Sequence, residues 1–507
     1  MKDYPIKWFW SKLMVKSRSI NNIPDQYLEW AQNVRIYDGG IGPRKWKRLL
    51  LNSTLGTVNR GGFSMNSKLY QIANSKIYEI NTLTGAQTEK ATLWYDALTD
   101  ILVYWNTIAV IVSVGQTPKI FNGTTVTDIT TVPASTTGIL EYCRNFSFIT
   151  KDNILYISRP ITAANPEYAY DWTGSGSQNI TYDSKVAGLK STMNGLYVFL
   201  DNKVEYLGAN ALQNVSGAAT FISTPLGEGA APISNLVIAA SGDKIFYISK
   251  NLQIQTVNFV QGATNPSIGE LSARPVVWVR ELLKDIDPNQ PNAFAFYNEN
   301  DKTIQFHVRS TKSLFNDYVI VYDLVNDTFS IDVGKYYNYI IKHGSDYYGY
   351  SDINTSVFQD DVGYSDAGSP ISTKLRTWPY NANSLKQKMF WGIFTSWSIW
   401  FLTEITYTAN IDGDTIFQED VIGNQLFPEG IGELSGGELS GEPVAWDLIY
   451  VPDRQIFDRI ADEWRIYATG TRIQIEMTCT SLVQDWIIDM LWFMYEPTNY
   501  IDTNNKF

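Results

Sequence analysis

One pattern recurs through the middle of this chain: a short apolar strand, a tight polar turn, and a second short strand. Its copies are SKLYQIANSKIYEIN (67–81), ILVYWNTIAVIVS (101–113), FSFITKDNILYIS (146–158), GLYVFLDNKVEYLG (195–208), KIFYISKNLQIQTV (244–257), FAFYNENDKTIQFHV (294–308) and DYYGYSDINTSVFQ (346–359). Apolar and polar residues alternate with period two. The Asn and Asp of the turns tolerate the left-handed backbone that a tight hairpin needs. Successive copies begin 34 to 52 residues apart. That brackets the repeat of about 40–50 residues expected of propeller blades. A four-stranded blade cannot bury both its faces alone, and radial stacking solves that problem while leaving few free sheet edges.

Seven hairpins predict about seven blades over residues 50–365. Copies two and six follow the pattern less closely than the rest. A further hairpin, YVIVYDLVNDTFSID (318–332), is read as the outer half of the sixth blade.

The flanks differ from this core. AGSP (367–370) reads as a linker or domain edge. Beyond it come longer alternating runs: ISTKLRTW (371–378), FLTEITYTANI (401–411), DTIFQEDVI (414–422), EWRIYATG (463–470) and RIQIEMTCTSL (472–482). They predict a β-sandwich-like domain over 366–507. IGELSGGELSGEP (431–443) reads as a solvated loop, and the chain is expected to fray after Ile501. Residues 1–49 form an N-terminal arm. PDQYLEWAQNV (24–34) suits a short helix with Pro24 in its first turn, and RIYDGGIGPRKWKRLL (35–50) reads as strand, Gly-Gly turn, strand. The fold class is therefore all-β, a propeller with two flanking regions. A 14% aromatic content suits it, since flat rings pack well on pleated surfaces.

Chemistry is sparse. His307 and His343 are the only histidines, and each sits in a strand-like segment. Nucleophilic triads and structural zinc sites need more than that. Cys143 and Cys479 read as two buried small hydrophobes of a chain made in a reducing cytosol. Asp412, Gly413 and Asp414 resemble part of a calcium loop, but Gly423 stands where the closing Glu belongs, so a hairpin turn is the better reading. Neither the aspartate box of sialidase-like propellers nor the Gly-His to Trp-Asp signature of WD repeats occurs. No phosphate-binding Gly-rich loop occurs either. Catalysis, cofactors and metals are not expected. No apolar stretch reaches the length of a membrane span and no secretory leader is recognisable, so no membrane anchor is expected.

The formal net charge is −12, which argues against a general nucleic-acid-gripping surface. Against it stands one dense basic cluster: Arg35, Arg44, Lys45, Lys47 and Arg48. It reads either as a solvated hairpin face or as a docking surface for an acidic partner, such as a neighbouring copy.

The segment AQNVRIYDGGIGPRKWKRLL (31–50) resembles a stretch common in tail hub and nozzle proteins of short-tailed bacteriophages. There an Asn, a strand, a Gly turn and an Arg-rich stretch lead into a propeller. Here those positions are Asn33, Gly39, Gly40 and Arg44, and Lys45-Trp46 replaces the Pro-Gly often found after the Arg. The order arm, propeller, C-terminal β-domain also matches. The resemblance implies a virion structural protein, assembled in the host cytoplasm into a ring of six copies below the portal and adaptor. It would contact tail fibres or other tail parts, and DNA would pass through the ring without specific binding. The alternative is a carbohydrate-binding or carbohydrate-cleaving propeller, suggested by aromatic segments such as GKYYNYII (334–341) and the many carboxylates.

Overall fold

The computed structural model describes residues 28–497 except 38–39, 54, 56, 133–135, 163, 175, 209–222, 260–265, 272–276, 363–365, 378, 381–387, 400–402, 423–457 and 482–485. The loop read at 431–443 and the fraying end after Ile501 lie outside the described residues. The chain divides into two units. One comprises Leu49–Val325 and Val333–Asp360. The other comprises the arm to Arg48, Asn326–Asp332 and Asp361–Phe507.

The first unit is a seven-bladed β-propeller. Blade one runs Asn59–Met65, Lys68–Ala73, Lys76–Ile80 and Gln87–Thr92, as strands A to D from the axis outward. Blades two to five repeat that order, with A strands at Thr99–Tyr104, Leu140–Cys143, Val186–Ser191 and Ile238–Ser241. Blade six places Phe294–Asn298, Thr303–Val308 and Tyr318–Asp323 in this unit. Blade seven has Tyr337–His343, Asp346–Ser351 and Val357–Asp360, and its outermost place is taken by Lys47–Leu51 from before blade one. The A strands neighbour one another in cyclic order, with that of blade seven against that of blade one. Strand exchange of this kind closes the ring and removes a free edge.

Apolar faces between blades hold the ring. Phe199 and Tyr247 meet edge to face at 4.9 Å between blades four and five. Phe63, Tyr70 and Phe121 cluster between blades one and two. Each such buried side chain contributes roughly 1.5–3 kcal/mol. The seam between blades seven and one is polar as well. Asn59, fully buried, donates through Nδ2 to the carbonyls of Ser351, Asn354 and Ser356 at 3.0–3.1 Å. Beside it the Tyr350 ring occupies the space a Cβ would need at Gly62, 2.3 Å away, so only glycine admits the ring.

All seven predicted hairpins form. Five are the B–C pairs of their blades, whereas 101–113 and 294–308 are A–B pairs. This explains why those two copies match the others less well: they are the same unit read one strand earlier. Several turns use two consecutive left-handed residues, such as Asn74 and Ser75 at φ 49° and 58°, as two-residue hairpins of matching twist require. Between blades five and six lies the single described α-helix, Val277–Lys284.

The described residues of the second unit form two β-sheets. One runs from Thr328–Val333 through Leu28–Gln32, Thr373–Thr377, Ile473–Cys479 and Glu404–Ile411 to Asp414–Ile422. The other orders Val34–Tyr37, Gly40–Pro43, Trp486–Pro497, Lys388–Ile399 and Asp458–Gly470. The arm is therefore not a separate module: its described strands up to Gly40–Pro43 are built into the C-terminal sheets, and the last, Lys47–Leu51, into blade seven. The helix expected over 24–34 does not form in the described part. Leu28–Gln32 is a strand, paired antiparallel with Thr373–Thr377 and parallel with Ile331. Pairing between distant segments overrides the local helical preference. The strands on either side of the predicted Gly-Gly turn pair, with Val34 opposite Pro43 and Tyr37 opposite Gly40, while residues 38–39 lie outside the described residues. Residues 367–370 are no linker: Asp366 and Ser369 exchange backbone bonds across a tight turn inside this unit.

Candidate binding surfaces

Because every blade repeats the same strand order, all A–B turns emerge on one face of the propeller. On blades one to four these turns join into a rim. The backbone N–H of Asn66 donates to Asn106 O at 3.0 Å and to its Oδ1 at 2.8 Å, linking blades one and two. The Tyr104 ring lies 5.7 Å from Trp105 and meets Tyr142 of blade three edge-on at 6.0 Å. Arg144 donates through Nη2 to Met193 O of blade four at 2.7 Å. Trp105, Tyr142 and Met193 are 47%, 39% and 73% exposed.

Trp105 stands at φ 49° and Asn106 at φ 58°. A two-residue turn of this kind favours Asn-Gly, and a bulky residue in the left-handed region costs about 1–2 kcal/mol. Trp105 carries that cost without the return of full burial. Strained, exposed side chains of this sort cluster at functional positions.

A second cluster faces the propeller axis. Asp100, Glu141 and Lys190 lie on the A strands of blades two, three and four. Asp100 Oδ2 accepts from the Leu140 N–H at 3.0 Å. Lys190 Nζ sits 3.6 Å from Glu141 Oε2, and Ser191 Oγ donates to Glu141 Oε1 at 3.0 Å. Burial, reinforced by the charge of Glu141, pushes the Asp100 carboxyl up to about 7 against the Leu140 bond and Lys190. On blade seven, burial likewise raises the phenol of Tyr339, helped by Asp100. The arrangement puts a proton-exchanging carboxyl near neutrality beside an ion pair.

The predicted basic patch divides. Arg35 and Arg44 are buried at 7% and 1%, Lys47 is buried, and only Lys45 and Arg48 are exposed. Arg35 clamps Asp332 through both terminal nitrogens, with Nη1 to Oδ1 at 2.8 Å. Arg44 Nη2 reaches Asp366 Oδ2 at 2.6 Å, and its Nε donates to Asn33 Oδ1 at 3.1 Å. Asn33, left-handed at φ 56°, donates in turn to Ser372 O at 2.8 Å. The docking reading therefore fails for Arg35, Arg44 and Lys47, whose charges serve the interior. Sequence proximity made them look like one surface, while distant carboxylates took Arg35 and Arg44 inside and the strand's burial pattern took Lys47.

The aromatic segment 334–341 also turns inward. Tyr337 is fully buried and its hydroxyl donates to Asp360 Oδ1 at 3.2 Å, beside a buried Lys335–Asp360 pair at 2.8 Å. Both histidines lie in strands. His307 stacks on Phe294 at 4.3 Å, and His343 Nδ1 shares a 2.8 Å hydrogen bond with Ser64 Oγ. Both cysteines are free and buried. The Asp412 carboxylate accepts from the Thr471 and Arg472 N–H groups, which holds it below the usual range against the effect of burial. Among the described residues no His, Cys, Asp and Glu group could hold a metal, and no helix is long and apolar enough to cross a membrane. Sequence reading missed the rim. The one signal was Trp105-Asn106 at a hairpin tip where Asn-Gly is the expected pair.

No protein-family model matches the chain, and no curated protein matches it. Among solved structures, the computationally designed Ika8 protein aligns over 62% of this chain and 99% of its own, at 10% identity and a TM-score of 0.38. The WD40 β-propeller domain of Doa1 aligns over 62% of this chain and 96% of its own, at 9% identity and a TM-score of 0.39.

Proposed function

We propose that this chain is a virion structural protein, a tail hub or nozzle component of a short-tailed bacteriophage. In this reading six copies form a ring that continues the DNA conduit below the portal and adaptor. The observation that carries the reading is the segment resembling that family. Its Asn33 and Arg44 bond to each other inside the second unit, and the segment leads without interruption into Lys47–Leu51, the strand that closes the propeller. A segment that leads from one unit into the propeller is an architectural element, and in the family the corresponding stretch likewise leads into a propeller. The chain's net charge of −12 agrees, because an acidic wall repels a passing polyanion and does not retain it.

The test is mass spectrometry of particles released from the host that carries the gene. The chain is expected in purified particles, in constant ratio to other tail proteins. Its absence from particles overturns the reading.

A further inference from the structure

Apart from any ring assembly, we propose that the A–B rim of blades two to four is a glycan-binding site. Its central groups are the rings of Trp105 and Tyr142. A pyranose presents an apolar C–H face that stacks on such a ring and a hydroxyl edge that needs planar hydrogen-bonding partners. The rim offers both in alternation. Trp105 adjoins the exposed amide of Asn106, and Tyr142 adjoins the exposed Arg144 and Asn145.

Three observations favour a sugar over a protein anchor. Each exposed ring has an exposed amide close by in sequence, Asn106 next to Trp105 and Asn145 near Tyr142, whereas a protein hot spot is desolvated at its centre. Arg144 supplies the one formal charge among these exposed tip side chains, which suits a neutral or acidic glycan. The turns are braced before any ligand arrives, by the Asn66–Asn106, Tyr104–Tyr142 and Arg144–Met193 contacts, so little ordering remains for a weak polar ligand to impose.

The full chain is applied to an array of hexose, N-acetylhexosamine and hexuronate oligosaccharides. Trp105→Asn keeps a residue suited to the left-handed turn while removing the ring, and Tyr142→Ser removes the second ring. Trp94→Asn is the control. Trp94 is also exposed and left-handed, at φ 74°, but it lies in the connection between blades one and two that emerges on the opposite face. The proposal expects binding to a subset of glycans, weakened at least tenfold by either rim substitution and unchanged by the control, with circular dichroism preserved in all three. Silence of the folded chain across the array overturns it. So does binding that survives both rim substitutions or falls equally with the control.

Discussion

The propeller and the second unit are both β-sheet, but they are held together in different ways. Six of the seven blades take their strands from one stretch of chain, with only the seventh borrowing Lys47–Leu51. Their faces meet through apolar clusters such as Tyr197, Phe199, Ile245 and Tyr247. The second unit draws neighbouring strands from residues near 30, 330, 375 and 475. Beside buried apolar side chains such as Leu375, Tyr407 and Ile475 it carries buried ion pairs, Arg35 on Asp332 and Arg44 on Asp366. Apolar stacking tolerates local variation, whereas a buried ion pair depends on both partners, because either one alone is left charged in a poor solvent. The apolar seams between blades should therefore be graded in their response to substitution, and the arm's buried ion pairs, like Lys335–Asp360 in the propeller, brittle.

The largest effects test this contrast directly. Phe199→Ala should cost about 3–5 kcal/mol through a cavity between blades four and five. Asp332→Ala should cost a similar amount, about 3–5 kcal/mol, by stranding the Arg35 guanidinium. Hydrogen exchange followed by mass spectrometry locates each loss. Phe199→Ala should raise exchange in the propeller strands, and Asp332→Ala in Leu28–Gln32 and Thr373–Thr377. Equal loosening of both units by either variant would break the comparison.

A medium effect falls on the ring seam. Asn59→Ala removes the donor shared by the carbonyls of Ser351, Asn354 and Ser356, at about 1–3 kcal/mol. Urea unfolding should show a lower midpoint, with early exposure of Lys47–Leu51. The smallest effect is expected at Asp100. Its carboxyl is raised from 3.8 to about 7 in the fold, so its stabilising contribution is complete below about pH 4 and is lost as pH rises towards 7. Asp100→Asn should remove that slope. It should raise the melting temperature at pH 8 by the equivalent of about 1 kcal/mol, a modest figure because the residue is only half-buried. Melting curves from pH 4 to pH 8 that run parallel for the two proteins would refute it.

The same contrast explains what the sequence made legible. The blades were readable because a hairpin is local: Lys68–Ala73 and Lys76–Ile80 are joined by two left-handed residues visible as Asn74-Ser75. The second unit's strands were also readable, as at Ile473–Cys479, but their partners were not. Nothing near Leu28 announces Thr377, its partner across the sheet. For the same reason the basic cluster misled, since Asp332 and Asp366 lie about three hundred residues from the arginines they neutralise. The rim was illegible because Trp105, Tyr142 and Met193 come together only once the blades close into a ring. The strained Trp-Asn tip was the single local trace of it.

The central functional claim is that copies of this chain close into a ring, and single-particle electron microscopy of the purified full-length protein tests it most directly. Closed rings with an open centre, six copies round, are expected. A population that stays monomeric at high protein concentration would contradict it.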